Sequence, residues 1–154
     1  MFTPARRKFA RTRTTTGGFA FTGADIRILI VDEIEAWHCI YGAVLRGYPD
    51  RQDVAYALDA QQAIEKSRRL QPGVIMIALG PGPGDGFELA RQISQASPDA
   101  RLLFVGTAPP SESAPLALAA GAQGYISKRN VVVELIPALQ AIAEGKRFVG
   151  QSTS

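Results

Sequence analysis

From Ile26 onward the apolar positions fall in short blocks whose spacing alternates between two periods. The run at 26–31 (Ile-Arg-Ile-Leu-Ile-Val) is rich in β-branched residues and predicts a strand. At 35–45, Trp37, Ile40, Tyr41, Val44 and Leu45 recur near helical spacing. A short strand at 54–58 precedes a helix at 60–70. Asp59 can cap that helix, with Ala60, Ala63, Ile64 and Ser67 on one face. The run at 74–79 (Val-Ile-Met-Ile-Ala-Leu) holds no polar residue. A strand apolar on both faces belongs in the middle of a parallel sheet covered by helices. A helix at 87–94, a strand at 101–105, a helix at about 116–120 and a strand at 124–127 follow. The last helix, at 131–144, carries Val131, Leu135, Ala138, Leu139 and Ile142 as its buried stripe. Proline inside a helix costs about 3 kcal/mol unless it sits in the first turn. Pro115 therefore predicts a late start for the fourth helix, and Pro137 a late start or a kink in the fifth.

Five strands alternating with five helices mean right-handed βαβ units: a five-stranded, doubly wound parallel sheet with helices on both faces. The domain is expected at 25–149, with a basic, disordered tail at 1–24 and a stub at 150–154. In such sheets the functional site lies beyond the carboxyl ends of the strands, where strand order reverses.

Composition narrows the classes. The chain has 154 residues, 46% hydrophobic and 20% charged, which suits one soluble domain with a single core. No apolar run approaches the ~18 residues needed to cross a bilayer, so no membrane span is expected. The net charge of +3 divides unevenly. Residues 1–24 hold five of the 17 basic residues (Arg6, Arg7, Lys8, Arg11, Arg13) and none of the 14 acidic ones. The remainder is slightly acidic. The tail reads first as solvated chain, and otherwise as an arm for nucleic-acid phosphates or a transit sequence. One cysteine, Cys39, cannot form an intrachain disulfide, which fits a reducing, cytoplasmic setting. With His38 beside it, one His and one Cys do not make a zinc site. Trp37 reads as a core or rim contact, His38 as a pocket-edge residue and Cys39 as a small buried one.

The strand ends bring the chemistry. Asp32 and Glu33 follow the first strand, Gly80 to Gly86 the third, Gly106 and Thr107 the fourth, and Lys128 the fifth. Acids hold hard divalent cations, and an ammonium pairs with phosphoryl oxygens. The glycine–proline loop lacks the lysine and hydroxyl of a P-loop and reads as a rigid turn. Asp85-Gly86-Phe87-Glu88 has the spacing of an N-cap with a reciprocal acid, which is preferred over a phosphate-accepting Asp85.

Ile-Arg-Ile-Leu-Ile-Val-Asp-Glu, Ala-Ala-Gly-Ala-Gln-Gly-Tyr-Ile-Ser-Lys and Ala-Glu-Gly-Lys-Arg-Phe together resemble the receiver domain of two-component response regulators. The closest subgroup is the one that normally carries a helix-turn-helix domain. The resemblance covers about 26–149 and implies a flavodoxin-like (βα)5 sandwich. It implies that Asp32 and Glu33 match the acidic metal pair, Lys128 the phosphoryl-contacting lysine, and Tyr125 the aromatic that changes rotamer on activation. Two positions depart from the family. The phosphate-accepting aspartate falls at Ala78, and the hydroxyl after the fourth strand falls at Gly106, with Thr107 one residue on.

Alanine offers no nucleophile for phosphoryl transfer. The expectation is a phosphorelay pseudo-receiver that is not an enzyme and works by protein–protein contact through the 111–145 face, with Mg2+ binding weak or lost. Asp32 and Glu33 read as a relic that favours the first helix dipole, and Lys128 as the partner of one of them. By resemblance, copies of the chain can also pair as a homodimer. Leu116, Leu118 and Ala119 are candidates for interface or core. No helix-turn-helix pattern follows the last helix, so no sequence-specific DNA reader is expected here. A phosphorylated Asp85, nucleic-acid binding through the tail, and a small α/β enzyme are the alternatives. The last lacks a nucleophile–base pair.

Overall fold

The computed structural model describes residues 11–13, 19–21, 25–49, 51–80 and 85–152. Two short strands, β1 (Arg11–Arg13) and β2 (Phe19–Phe21), pair antiparallel as a ribbon outside the main sheet. A disordered tail is expected there; the pairing corrects this for the two strands, where Thr and Phe favour extended backbone. Arg6, Arg7 and Lys8, on which the nucleic-acid alternative rests, lie outside the described residues.

The main sheet is parallel and runs β4 (Arg51–Ala57), β3 (Asp25–Val31), β5 (Val74–Leu79), β6 (Arg101–Gly106), β7 (Gly124–Ser127), β8 (Phe148–Val149). The five strands read from the sequence are present. The sixth corrects the count: Phe148 and Val149 follow Gly145 (φ +86°) and lie beside Gly124 and Tyr125. A two-residue edge strand is too short to show a period in sequence. Beyond it, Gly150 N donates to Tyr125 O at 2.8 Å and Gln151 N to Glu134 Oε2 at 2.9 Å, so the C-terminal stub is tied back as far as Ser152.

The alternation of side chains along each strand divides the core in two. Ile26, Ile28, Ile30, Val74, Met76, Leu103 and Val105 face α1 (Glu35–Leu45) and α5 (Val131–Ala143). Leu29, Val31, Ile75, Ile77, Leu102 and Phe104 face α2 (Ala60–Leu70), α3 (Asp85–Ala96) and α4 (Pro110–Ala119). β5 is apolar throughout because it has helices on both sides. The predicted α5 stripe is wholly buried.

Local chemistry explains the ends. Asp59 Oδ1 accepts from Gln62 N at 2.8 Å while Gln62 Oε1 accepts from Leu58 N at 2.9 Å, a reciprocal cap on α2. α4 starts at Pro110, earlier than expected. Pro110 presets φ at the first helical position, and Pro115 deprives only Ser111, an exposed first-turn residue, of a hydrogen-bond donor. α5 likewise runs unbroken through the exposed Pro137, whose missing N–H would have served Val133, also exposed. Cys39 is exposed, not buried, because it sits on the outer face of α1 beside Ile40.

Candidate functional site

Strand order reverses between β3, which is followed by a move outward to β4, and β5, which returns to β3's other side. The carboxyl ends of β3, β5, β6 and β7 thus converge, and Asp32, Ala78, Gly106 and Lys128 arrive there together.

Asp32 is buried, 2% exposed, and its carboxylate is fully engaged. Oδ1 accepts from Ile34 N at 2.9 Å, and Oδ2 accepts from the Tyr41 hydroxyl at 2.7 Å. Lys128 Nζ lies 3.1 Å from the same Oδ2, both side chains being almost solvent-free. The ammonium also sits 4.6 Å from the centroid of Trp37, whose ring stacks on Tyr41 at 5.7 Å. The backbone of Asp32 is held as well, its N–H donating to Ala57 O at 3.1 Å and its carbonyl accepting from His38 Nε2 at 2.9 Å. His38 in turn stacks on Tyr56. Burial, and then the hydrogen bond to Asp32, push the Tyr41 hydroxyl far above the ordinary tyrosine range. Tyr41 therefore stays a donor at any working pH.

Glu33, by contrast, is exposed at the rim. Ala78 is half-buried near the end of β5, in register with Val105. Gly106 is buried, and Thr107 is exposed. Tyr125 is fully buried, its hydroxyl donating to Ala108 O at 2.8 Å. Its ring and hydroxyl fill the space a Cβ on Gly106 would need. Asp85 begins α3, but its side chain and residues 81–84 of the glycine–proline loop lie outside the described residues. Around these positions opens a cavity of about 880 Å3, bordered by Asp32, Glu33, Asp59, Ala78, Gly106 and Tyr125 among others.

A hard cation such as Mg2+ wants several free oxygens. Asp32 has spent both of its own and faces an ammonium, and Ala78 brings none. Among the described residues, no group of three or more His, Cys, Asp or Glu stands close enough to hold a metal. The donors present do not fit the ion.

Sequence reasoning named Asp32, Ala78, Gly106, Tyr125 and Lys128, and the fold brings them together. It missed Tyr41 as the partner of Asp32 and Trp37 as the platform under Lys128. Tyr41 reads only as a member of an apolar stripe and Trp37 as that or a core or rim contact, and nothing in a helical period says which ring carries a buried hydroxyl to an acid.

A parallel sheet wound in this order, with a buried acid after its first central strand facing a lysine after its penultimate one, defines a receiver-type signalling module. The chain belongs to the response regulator receiver domain family, whose model matches residues 28–140. It is 27% identical over 125 residues to the response regulator GacA of Pseudomonas viridiflava and 28% to the oxygen regulatory protein NreC of Staphylococcus epidermidis. Each match covers 80% of this chain but only 58% and 57% of the relative, so the chain spans a little over half the length of these curated relatives. A LuxR-family two-component response regulator from Aurantimonas sp. SI85-9A1 superposes with a TM-score of 0.72 at 34% identity, covering 81% of this chain and 89% of that one. The isolated receiver domain of RcsB from Salmonella enterica serovar Typhimurium, with BeF3−, shares the fold at a TM-score of 0.71 and 22% identity, over 81% and 93% of the two chains. No described helix is long and apolar enough to cross a membrane.

Proposed function

We propose that this chain is a pseudo-receiver: a cytoplasmic module of two-component signalling that passes information by protein contact, without phosphorylation at position 78. The observation that carries the reading is the pairing at the pocket floor. Where phosphoryl transfer needs a carboxylate nucleophile there is the methyl of Ala78. The lysine that the resemblance assigns to the phosphoryl group is 3.1 Å from Asp32, over the Trp37 ring. Magnesium binding is correspondingly weak, since Asp32 is the only buried acid among the described residues and is already neutralised. The contact surface is the 111–145 face, where Leu116, Val132 and Val133 are 61%, 72% and 69% exposed.

Intact mass after incubation with acetyl phosphate and magnesium tests this, with Ala78→Asp alongside. The native chain stays unmodified and the variant gains one phosphoryl group. A phosphoryl group on the native chain overturns the reading, and peptide mapping then begins at Asp85.

A further inference from the structure

The cavity at the carboxyl edge has the size of a small-molecule site. Ligand pockets run from about 300 to 1,000 Å3, mostly apolar with a few placed polar groups. This one, at about 880 Å3, is walled by Leu58, Ala78, Leu79, Phe87, Leu89 and Leu116. Five of these are half-buried, and Leu116 stands 61% exposed. Phe87 is fixed by an edge-to-face contact with Phe104, ring centroids 5.3 Å apart, so one wall is rigid and aromatic. A pocket that held phosphate without a metal would present cations. Among the described residues no Lys or Arg lines this cavity, and Lys128 is committed to Asp32 behind it. The described charges that do line it, apart from the neutralised Asp32, are the exposed carboxylates Glu33 and Asp59. Thr107 and Ser113 add hydroxyl-bearing residues to the lining.

We propose that this cavity binds a small organic cation, a flat apolar body carrying an amine, with the body against Leu79, Phe87 and Leu116 and the ammonium toward Glu33 and Asp59. Anions are rejected by the same two acids. The inference rests on the pseudo-receiver reading, because with alanine at position 78 no phosphoryl group competes for the cavity. It gives the module an input: occupancy of the cavity replaces the phosphoryl group, and Leu116 carries the change to the 111–145 face.

The test is amide chemical shifts of the 15N-labelled full chain titrated with tryptamine, and separately with indole-3-acetate, which has the same ring and opposite charge. Tryptamine saturably shifts Gly80, Gly106 and Thr107, and binds roughly three- to tenfold more tightly than the acid, the range two exposed ion pairs supply. Ala78→Met projects a longer side chain into the cavity and weakens the shifts. Glu33→Gln with Asp59→Asn keeps the helix cap, folds independently of the cavity's apolar wall, and erases the preference for the amine. Absence of saturable shifts with tryptamine, equal binding of both probes to the native chain, or an unchanged preference in the charge variant overturns the proposal. The acetyl phosphate experiment keeps the two readings apart: a native chain that resists phosphorylation yet ignores tryptamine sinks this inference and leaves the pseudo-receiver standing.

Discussion

Gly106 and Tyr125 compete for one volume: the Tyr125 ring and hydroxyl lie where a Cβ at position 106 would project. The glycine has no positive φ, so it is there for space and not for backbone freedom. Its absence of side chain lets Tyr125 turn inward, become fully buried and donate to Ala108 O at 2.8 Å. The aromatic that the resemblance describes as mobile is thereby parked in one position.

Gly106→Thr should expel the ring. The expected cost is about 1–3 kcal/mol of folding stability, the usual range for overpacking. Urea denaturation of the variant measures it. In a Tyr125→Leu background the same threonine should cost far less, because residues that share a volume are coupled. Additive penalties in the two backgrounds would show that the positions do not compete.

Lys128 neutralises a carboxylate that is 2% exposed. Removing one partner of a buried pair leaves the other charge uncompensated, a loss of roughly 3–5 kcal/mol. Asp32 keeps its bonds from Tyr41 and Ile34, so Lys128→Met should fall toward the lower end of that range. Asp32→Asn combined with Lys128→Met should recover part of the loss. If the double variant is no more stable than Lys128→Met alone, the pair is not what holds the pocket floor.

The order of strands and helices could be read from the sequence because alternation of side chains and helical spacing are local. β5 declared its central place by having no polar residue. The floor of the site was legible for a similar reason: Asp32 and Lys128 both follow apolar strands, and strand ends meet at one edge. What escaped reading depends on contacts between distant segments. Arg27 lies inside a strand and is 2% exposed, its Nη1 donating to Leu70 O at 2.8 Å, 43 residues away. Tyr41 reaches Asp32 only because α1 packs back over β3. The early start of α4 was missed because a proline was weighed as a helix breaker, whereas Ser111's carbonyl can face solvent without a partner N–H.

Leu135 and Leu116 should separate core from surface. Leu135 is fully buried in α5, and its truncation to alanine is expected to cost about 2–5 kcal/mol. Leu116 is 61% exposed, and Leu116→Asp should change stability by no more than about 0.5 kcal/mol. A large loss with Leu116→Asp, read from thermal melts of the two variants side by side, would mean that residue is covered in solution, by the rest of the fold or by a second copy.

Alkaline pH should unfold this domain through its tyrosines. Burial raises Tyr41, Tyr56 and Tyr125 above the ordinary value of 10.0, Tyr41 most of all, with the Asp32 hydrogen bond adding to it. For Tyr125 the Ser113 hydrogen bond pulls the other way, and Glu112 adds to the rise. Each hydroxyl stays protonated in the folded chain after its unfolded counterpart has ionised, so the folded state binds more protons. Stability is then fully present below the unfolded value, near pH 10, and falls as pH rises through the interval up to the folded values. Stability measured by urea denaturation from pH 8 to pH 11.5 should decline above about pH 10. Tyr41→Phe loses the 2.7 Å bond to Asp32, about 1.5–3 kcal/mol for a hydrogen bond to a charged group, at every pH. The same variant should decline less steeply above pH 10, since the hydroxyl raised furthest is gone. An identical alkaline slope in Tyr41→Phe and the native chain would mean that Tyr41 ionises as freely in the folded state as in the unfolded one, and that its bond to Asp32 does not persist in solution.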